Sequence, residues 1–246
     1  MTLLAHLSDS HVGATDHSAQ RLRAVLAALP AGVDAILLTG DVSDHGAPGE
    51  YRAVRSLLPA SALVCPGNHD LRAEFREHLL GLPPGDAPIN SAHRLPGLLV
   101  LMCDSLVPGE DYGLLAEETL TWMDAELSAE PELPAVLAFH HPPIQIGIEL
   151  PDSIRLRETE GLTALLDRHP QVRALLCGHV HSPVAGDFAG RPVRIAPGII
   201  STMQLPGEAG KGKFDLTMGP GFALHVLEDG GITTHFRVLP VEGVVL

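Results

Sequence analysis

The sequence predicts an α/β protein: a largely parallel sheet covered by helices, followed by a mostly β segment. Three observations carry this prediction. Short apolar runs alternate with amphipathic stretches through the first two-thirds of the 246 residues. After Cys177 the pattern changes to short extended runs punctuated by Gly and Pro. Hydrophobic residues make up 45% of the chain and charged residues 19%, which supplies a sizeable core and excludes wholesale disorder.

Residues 3–7 read as the first strand. The following helix spans 18–29, where Leu22, Val25, Leu26 and Leu29 recur at i, i+3, i+4 and i+7 on one face. A strand at 35–39 leads to a helix over 48–58, and one at 62–65 leads to a helix over 71–80. Strands at 98–103, 135–139 and 173–177 follow, with helices over 117–127 and 159–169. Alternation of this kind implies parallel strands joined by helical crossovers. Extended runs then fall at 184–188, 191–196, 222–227 and 233–239, the last two separated by the hairpin signal Asp229-Gly230-Gly231. A second, mostly antiparallel sheet is the economical reading. Two loops stay unassigned: 142–158, with three prolines, and the Gly-rich 205–221. Loops of that length are either filler or part of a binding site.

Composition excludes several functions. The chain carries 16 Lys and Arg against 30 Asp and Glu, a net charge of −14, and its only lysines are Lys211 and Lys213. A face that displaces counterions from nucleic-acid phosphates needs clustered cations, so duplex binding is not expected. Three cysteines, Cys65, Cys103 and Cys177, each end an apolar run and read as buried thiols rather than a disulfide framework. The opening residues lack a basic segment, their apolar stretch breaks at His6 and Asp9, and no apolar run approaches the ~20 residues of a membrane helix. A reducing cytoplasm is the expected compartment, with no membrane partner. Fourteen histidines stand out. Codon bias explains such a count as readily as metal or proton chemistry does, so position must decide.

Position favours chemistry. Polar clusters follow five strand candidates: Ser8-Asp9-Ser10-His11, Gly40-Asp41, Gly67-Asn68-His69-Asp70, His140-His141-Pro142 and Gly178-His179-Val180-His181. The carboxyl ends of parallel strands form the crevice where ligands bind, so these loops converge on one edge. Asp9/His11 and His179/His181 are i, i+2 pairs, which in extended chain point to one side and reach one ion. Carboxylate, imidazole and amide oxygens without a thiolate suit Mn, Fe, Zn or Co and argue against a structural zinc site. Each piece alone has an ordinary explanation: a turn for Gly40-Asp41, an N-cap for Asp70, a hydrogen-bonded histidine elsewhere. Five in order are not ordinary. Asp44 and Asp70 read equally as orienters of histidines or as turn and cap residues. Arg72 and Arg76 read as phosphate contacts or as helix-face charges, and Lys213 and Lys211 as substrate contacts or solvated loop lysines.

The ordered set DSH, GD, GNHD, HHPP, GHVH resembles the calcineurin-like metallophosphoesterases over Asp9 to His181. GNHD, HHPP and GHVHSP resemble in particular the bacterial class III cyclic-nucleotide phosphodiesterases and related glycerophosphodiesterases. The resemblance implies a four-layer αββα sandwich, two mixed sheets flanked by helices, with a dinuclear metal site at the strands' C-terminal ends. It implies one domain over 1–246, with a metal-ligand core in 1–181 and a mostly β part in 182–246. It assigns Asp9, His11 and His181 to one metal ion, Asn68, His140 and His179 to the other, and Asp41 to both, which gives Asp41 a catalytic part. The family pattern His, any residue, Pro selects His140 over His141. His69 takes the place of the residue that contacts substrate phosphate and protonates the leaving group; Asn68 beside it is a further candidate substrate contact, as is Arg72 by its position just beyond GNHD if it is not a helix-face charge. The implied activity is metal-dependent hydrolysis of a small phosphodiester, of cyclic-nucleotide or glycerophosphodiester type, by a hydroxide bridging two ions. A phosphomonoesterase or pyrophosphatase of the same fold, or a non-catalytic scaffold, stays open. A homodimer or larger assembly also stays open.

Overall fold

Strands that are apolar on both faces need cover on both sides, and this chain supplies it by stacking two sheets between helices. A computed structural model describes residues 1–208 and 212–240. The elements begin with β1 (Thr2–Leu7), α1 (Ser18–Ala28), β2 (Ala35–Thr39), α2 (Pro48–Leu57), β3 (Leu63–Cys65) and α3 (Arg72–Glu74), which widens into a π-type turn over Phe75–Leu80. Next come β4 (Ser91–Leu95), β5 (Leu98–Met102), β6 (Gly113–Leu114), α4 (Glu117–Ala129), β7 (Ala135–Ala138), α5 (Glu149–Ser153), β8 (Leu156–Arg157) and α6 (Glu160–Arg168). The last are β9 (Val172–Cys177), β10 (Val184–Phe188), β11 (Arg191–Ile195), β12 (Thr202–Met203), β13 (Phe214–Asp215), β14 (Gly221–Glu228) and β15 (Gly231–Val238).

The first sheet has the order β15-β14-β1-β2-β3, and the second β10-β11-β9-β7-β5-β4. Within the first, β1, β2 and β3 are parallel while β14 and β15 run antiparallel at one side. Within the second, β11, β9, β7 and β5 are parallel and both edges, β10 and β4, are antiparallel. Alternation along each strand assigns its two faces. Leu4, Leu37, Leu63, Val100, Val136 and Leu176 meet between the sheets. Ala5, Leu7 and Leu38 face outward onto Leu22 and Val25 of α1 and Tyr51 and Val54 of α2. Leu101, Leu137 and Leu175 face outward onto Met123 of α4 and Leu165 of α6. The result is four layers, αββα.

Two expectations are corrected. The four strands expected after Cys177 do not form a sheet of their own: β10 and β11 extend the second sheet, β14 and β15 extend the first, and only the short β12 and β13 pair separately. The parallel strands likewise divide between the sheets. Both faces of β5 are buried, so periodicity alone carries no sign of which sheet a strand joins. The helix expected over 71–80 is one α turn followed by the π turn. Phe75 and Leu79 keep their helical spacing and stay buried, but Gly81, at φ 70°, closes the turn with its N–H on the Arg76 carbonyl. The cysteines are buried and free. Among the described residues no helix is long and apolar enough to cross a membrane.

One polar row interrupts the apolar layer between the sheets. Thr39 Oγ1 meets His6 Nε2 at 2.9 Å, His6 Nδ1 meets His225 Nε2 at 3.0 Å, and His225 Nδ1 meets Thr234 Oγ1 at 2.9 Å. It crosses β2, β1, β14 and β15 and ends beside the candidate site.

Candidate metal centre

The five polar clusters do converge, at the carboxyl ends of β1, β2, β3, β7 and β9. Asp41 is the hub: its Oδ2 lies 3.3 Å from His11 Nε2 and 3.3 Å from His140 Nε2. On one side His181 Nε2 stands 3.2 Å from His11 Nε2 and 3.5 Å from Asp9 Oδ1. On the other, Asn68 Oδ1 lies 3.2 Å from His140 Nε2 and 3.1 Å from His179 Nδ1. His140 Nε2 and His179 Nδ1 are 3.2 Å apart. Except for partly buried Asn68, the seven residues are all buried.

The local backbone differs from the extended chain that the i, i+2 spacing suggested. Asp9 (φ 56°), His11 (φ 39°), Asp41 (φ 47°), His179 (φ 72°) and His181 (φ 58°) all take left-handed conformations, a costly region for residues other than Gly. Tight turns keep Asp9 and His11 on one side but split the second pair. His179 goes to the Asn68–His140 side and His181 to the Asp9–His11 side. Other groups pin these turns: the Asp9 carboxylate accepts the His179 N–H at 3.1 Å, and Asp41 Oδ1 accepts the His69 N–H at 3.0 Å. Gly40 and Gly67 make the close approach possible. A Cβ on Gly40 would run into the His140 ring, and one on Gly67 into the Asp41 carboxylate.

The arrangement fits cations. His11 Nδ1–H donates to Asp44 at 2.8 Å and His140 Nδ1–H donates to the Thr39 carbonyl at 2.7 Å. His181 Nδ1 pairs with Ser201 Oγ at 2.7 Å. With Nδ1 spent, the rings of His11, His140 and His181 turn their Nε2 atoms toward one another and toward the oxygens of Asp9, Asp41 and Asn68. Acceptors packed this tightly repel unless positive charge sits among them. The electrostatics of the cluster express the same demand. Burial disfavours charge on His11 and His140, yet the hydrogen bonds and charge of Asp41, aided at His11 by Asp44, push them up to about 10 and about 9. Burial alone would raise the Asp41 carboxyl, but His140 and His11 hold it well below the usual range. Burial lifts Asp9 to about 6. Burial and the neighbouring His140 lower His179 to about 3, and burial with His11 lowers His181 well below its ordinary value. His179 Nε2 is buried without a hydrogen-bond partner.

The remaining candidates separate cleanly. His69 lies at the pocket mouth with its Nδ1–H on the Asp44 carbonyl at 2.8 Å, leaving Nε2 free. Asp44 is the histidine orienter; Asp70 instead ties loops, accepting the N–H groups of Val42, Ser43 and Gly67. His141 stands behind His140 and His179, with Nδ1 on Ser105 Oγ at 2.9 Å. Arg72 is not brought to the cluster: its guanidinium grips buried Asp104 at 2.8 and 3.1 Å and the Leu106 carbonyl at 2.6 Å. Arg76 turns to the carbonyls of Ala87 and Pro88. Lys213 lines a groove beside the pocket, and Lys211 lies outside the described residues.

The pocket over the cluster holds about 190 Å³. It is lined by Asp41, Asn68, His69, His179 and His181 on the cluster side and by a wall of Asp111, Leu150, Pro151, Ile154, Met203 and Phe214. Motif reading missed this wall. The only signal was that 142–158 and 205–221 are long loops of the kind that build sites.

The family model for calcineurin-like phosphoesterases matches residues 2–183. A protein of Rhodococcus erythropolis named as a probable cyclic nucleotide phosphodiesterase is 35% identical over 223 residues, 84% of this chain and 74% of that protein. The glycerophosphodiester phosphodiesterase GpdQ of Enterobacter lignolyticus is 31% identical over 215 residues, covering 80% of this chain and 77% of its own. The crystal structure of a dimetal phosphatase from Danio rerio superposes with a TM-score of 0.70 at 16% identity, covering 96% of both chains, a likeness of fold. With its own four layers and a buried histidine–aspartate cluster, this chain belongs to the calcineurin-like phosphoesterase family.

Proposed function

We propose that this chain hydrolyses small phosphodiesters, with Asp9, His11, Asp41 and His181 holding one metal ion and Asp41, Asn68, His140 and His179 a second. The observation that carries this is the Asp41 oxygen placed 3.3 Å from a histidine of each half, a carboxylate positioned to serve both. Bound divalent ions supply positive charge against the phosphodiester anion and make water acidic enough to serve as a nucleophile at neutral pH. The donor set suits Mn, Fe, Zn or Co. The chain's own residues do the rest. Asp44, Thr39 and Ser201 fix the imidazoles so that their lone pairs point inward. Asn68 and His69 meet the phosphate from the pocket mouth. His69, oriented through Nδ1 by the Asp44 carbonyl, presents Nε2 to the leaving oxygen and can give it a proton. The names of the Rhodococcus and Enterobacter relatives favour diesters over monoesters.

The test is turnover by the Mn-loaded chain of bis(p-nitrophenyl) phosphate against p-nitrophenyl phosphate. Metal-dependent release from the diester, exceeding that from the monoester, is expected. Release that is absent, or unchanged by a chelator, would overturn the reading.

A further inference from the structure

We infer that His141, the second histidine of the His140-His141 pair, is a positioning residue: its buried ring is the backstop that aims His179 at the second metal ion. The inference rests on the two-ion reading above and gives a role to a residue that is no ligand in it.

In that reading four imidazoles hold the ions, and three of them are aimed by a hydrogen bond on the remote nitrogen. Asp44 holds His11 at 2.8 Å, the Thr39 carbonyl holds His140 at 2.7 Å, and Ser201 holds His181 at 2.7 Å. His179 is the exception. Its Nδ1 faces inward, 3.1 Å from Asn68 Oδ1 and 3.2 Å from His140 Nε2. Its Nε2 is buried with no hydrogen-bond partner among the described residues. The turn at φ 72° and the Asp9 carboxylate on its N–H fix the backbone of His179 but not the rotation of its ring. The last torsion of a histidine side chain is broad, so something else must set it.

Packing supplies what the hydrogen bond does not. The His141 ring lies against His179 with centroids 4.7 Å apart at 53°, and against His140 at 4.8 Å and 86°, the separations of packed aromatic pairs. A backstop works only if it is itself fixed, and His141 is. It is fully buried, its Nδ1 meets Ser105 Oγ at 2.9 Å, and the same hydroxyl oxygen accepts its backbone N–H at 3.4 Å. β6 closes on the ring so tightly that a Cβ on Gly113 would run into it, an approach only glycine allows. The Leu114 N–H in turn donates to the Ser105 carbonyl at 3.0 Å, which ties β6 to the residue that pins His141. Side chains in so close-packed a place have no room to turn, so a fixed His141 leaves His179 one orientation. The rival role is that of a ligand, since nitrogens of His140, His141 and His179 come within 4.8 Å of one another. Replacing the ring with and without its nitrogens separates the two.

The experiment titrates Mn into the metal-free full chain and its His141→Ala, His141→Asn and His141→Phe variants, counting bound ions by equilibrium dialysis, with urea midpoints to check folding. The wild type is expected to bind two ions. His141→Ala and His141→Asn, the second of which keeps an amide N–H for Ser105 but no ring, are expected to weaken the second ion about 10–100-fold and leave the first unchanged. His141→Phe, which keeps a ring without a ligand atom, is expected to retain both. Ring-nitrogen NMR of the metal-free chain gives a second readout: one sharp His179 pattern in the wild type, broadened in His141→Ala and His141→Asn. A second ion unweakened by Ala and Asn, both ions lost together, or an ion lost in Phe as in Ala overturns the positioning role. A wild type that binds two ions but cleaves no diester overturns the phosphodiesterase reading and leaves His141 in its role. A wild type that binds fewer than two sinks both.

Discussion

Replacing His6 and His225 together by leucine should flatten the acid limb of this protein's stability. Burial pushes His6 down to about 3, and burial with His6 and Arg194 nearby pushes His225 far below its ordinary value. In the unfolded chain both return to about 6.5. The unfolded state therefore takes up protons first, and stability present above pH 6.5 is lost as pH falls through that value toward the folded ones. Between pH 7 and pH 5 each neutral imidazole contributes roughly 2 kcal/mol of this loss, so the pair contributes about 4 kcal/mol. Because pH 5 lies well above the folded values, the magnitude depends almost wholly on the unfolded one. The double replacement removes both polar partners at once, which costs little, and Thr39 Oγ1 keeps a contact with the Leu7 carbonyl at 3.4 Å. Urea titrations of chelator-treated wild type and variant at pH 7, 6 and 5, with unchanged m-values, would measure it. Metal-site histidines titrate in both proteins and cancel. Parallel stability curves would refute a neutral, buried His6–His225 pair.

Three further outcomes follow from the site. Asp41→Ala should abolish binding of both ions, since each half loses its charged hub; metal analysis after Mn loading and desalting checks this, and one retained ion per chain would contradict a shared carboxylate. His69→Ala should keep its metal content but slow diester turnover by about 10²–10⁴-fold, and an unchanged rate would remove His69 from the chemistry. Arg72→Ala should destabilise the fold by roughly 3–5 kcal/mol by stranding buried Asp104; a lowered affinity for substrate without a loss in chemical denaturation would mean that the arginine touches phosphate after all.

Much of the centre was legible because metal binding demands particular residue types at strand ends, and those stand out in sequence. GNHD and GHVH mark the loops by residue type, but spacing alone misplaced the GHVH side chains, because positive-φ turns send His179 and His181 to opposite halves of the cluster. The partners that aim the histidines were half legible. Asp44 lies in the sequence three residues after Asp41, whereas the Thr39 carbonyl is a backbone group and Ser201 lies 20 residues beyond His181. Sheet membership was not legible, because Leu98–Met102 is buried on both faces and satisfies either sheet equally. β4 was missed because it is an edge strand, Ser-Ala-His-Arg-Leu, with no apolar run to announce it. The wall around Phe214 escaped because two-residue strands and a five-residue helix leave no periodicity to read.

The same residues that make the site costly also explain how the fold bears that cost. Five of the seven candidate ligands sit at positive φ, each disfavoured by on the order of 1–3 kcal/mol. The turns are held because their backbone groups are laced across the sheet edge: Asp9 N–H to the Gly40 carbonyl, His11 N–H to the Asp41 carbonyl, and Gly198 N–H to the His181 carbonyl. Thr39 is the junction. Its carbonyl fixes His140 in the centre, while its hydroxyl ends the buried row through His6 and His225 to the far strand of the same sheet. Polar groups at the seam between two apolar sheets are hard to place, and here one threonine satisfies both the site and the seam. The inward-facing donor atoms are thus held by the sheet itself, and the candidate ligand set is positioned by the fold.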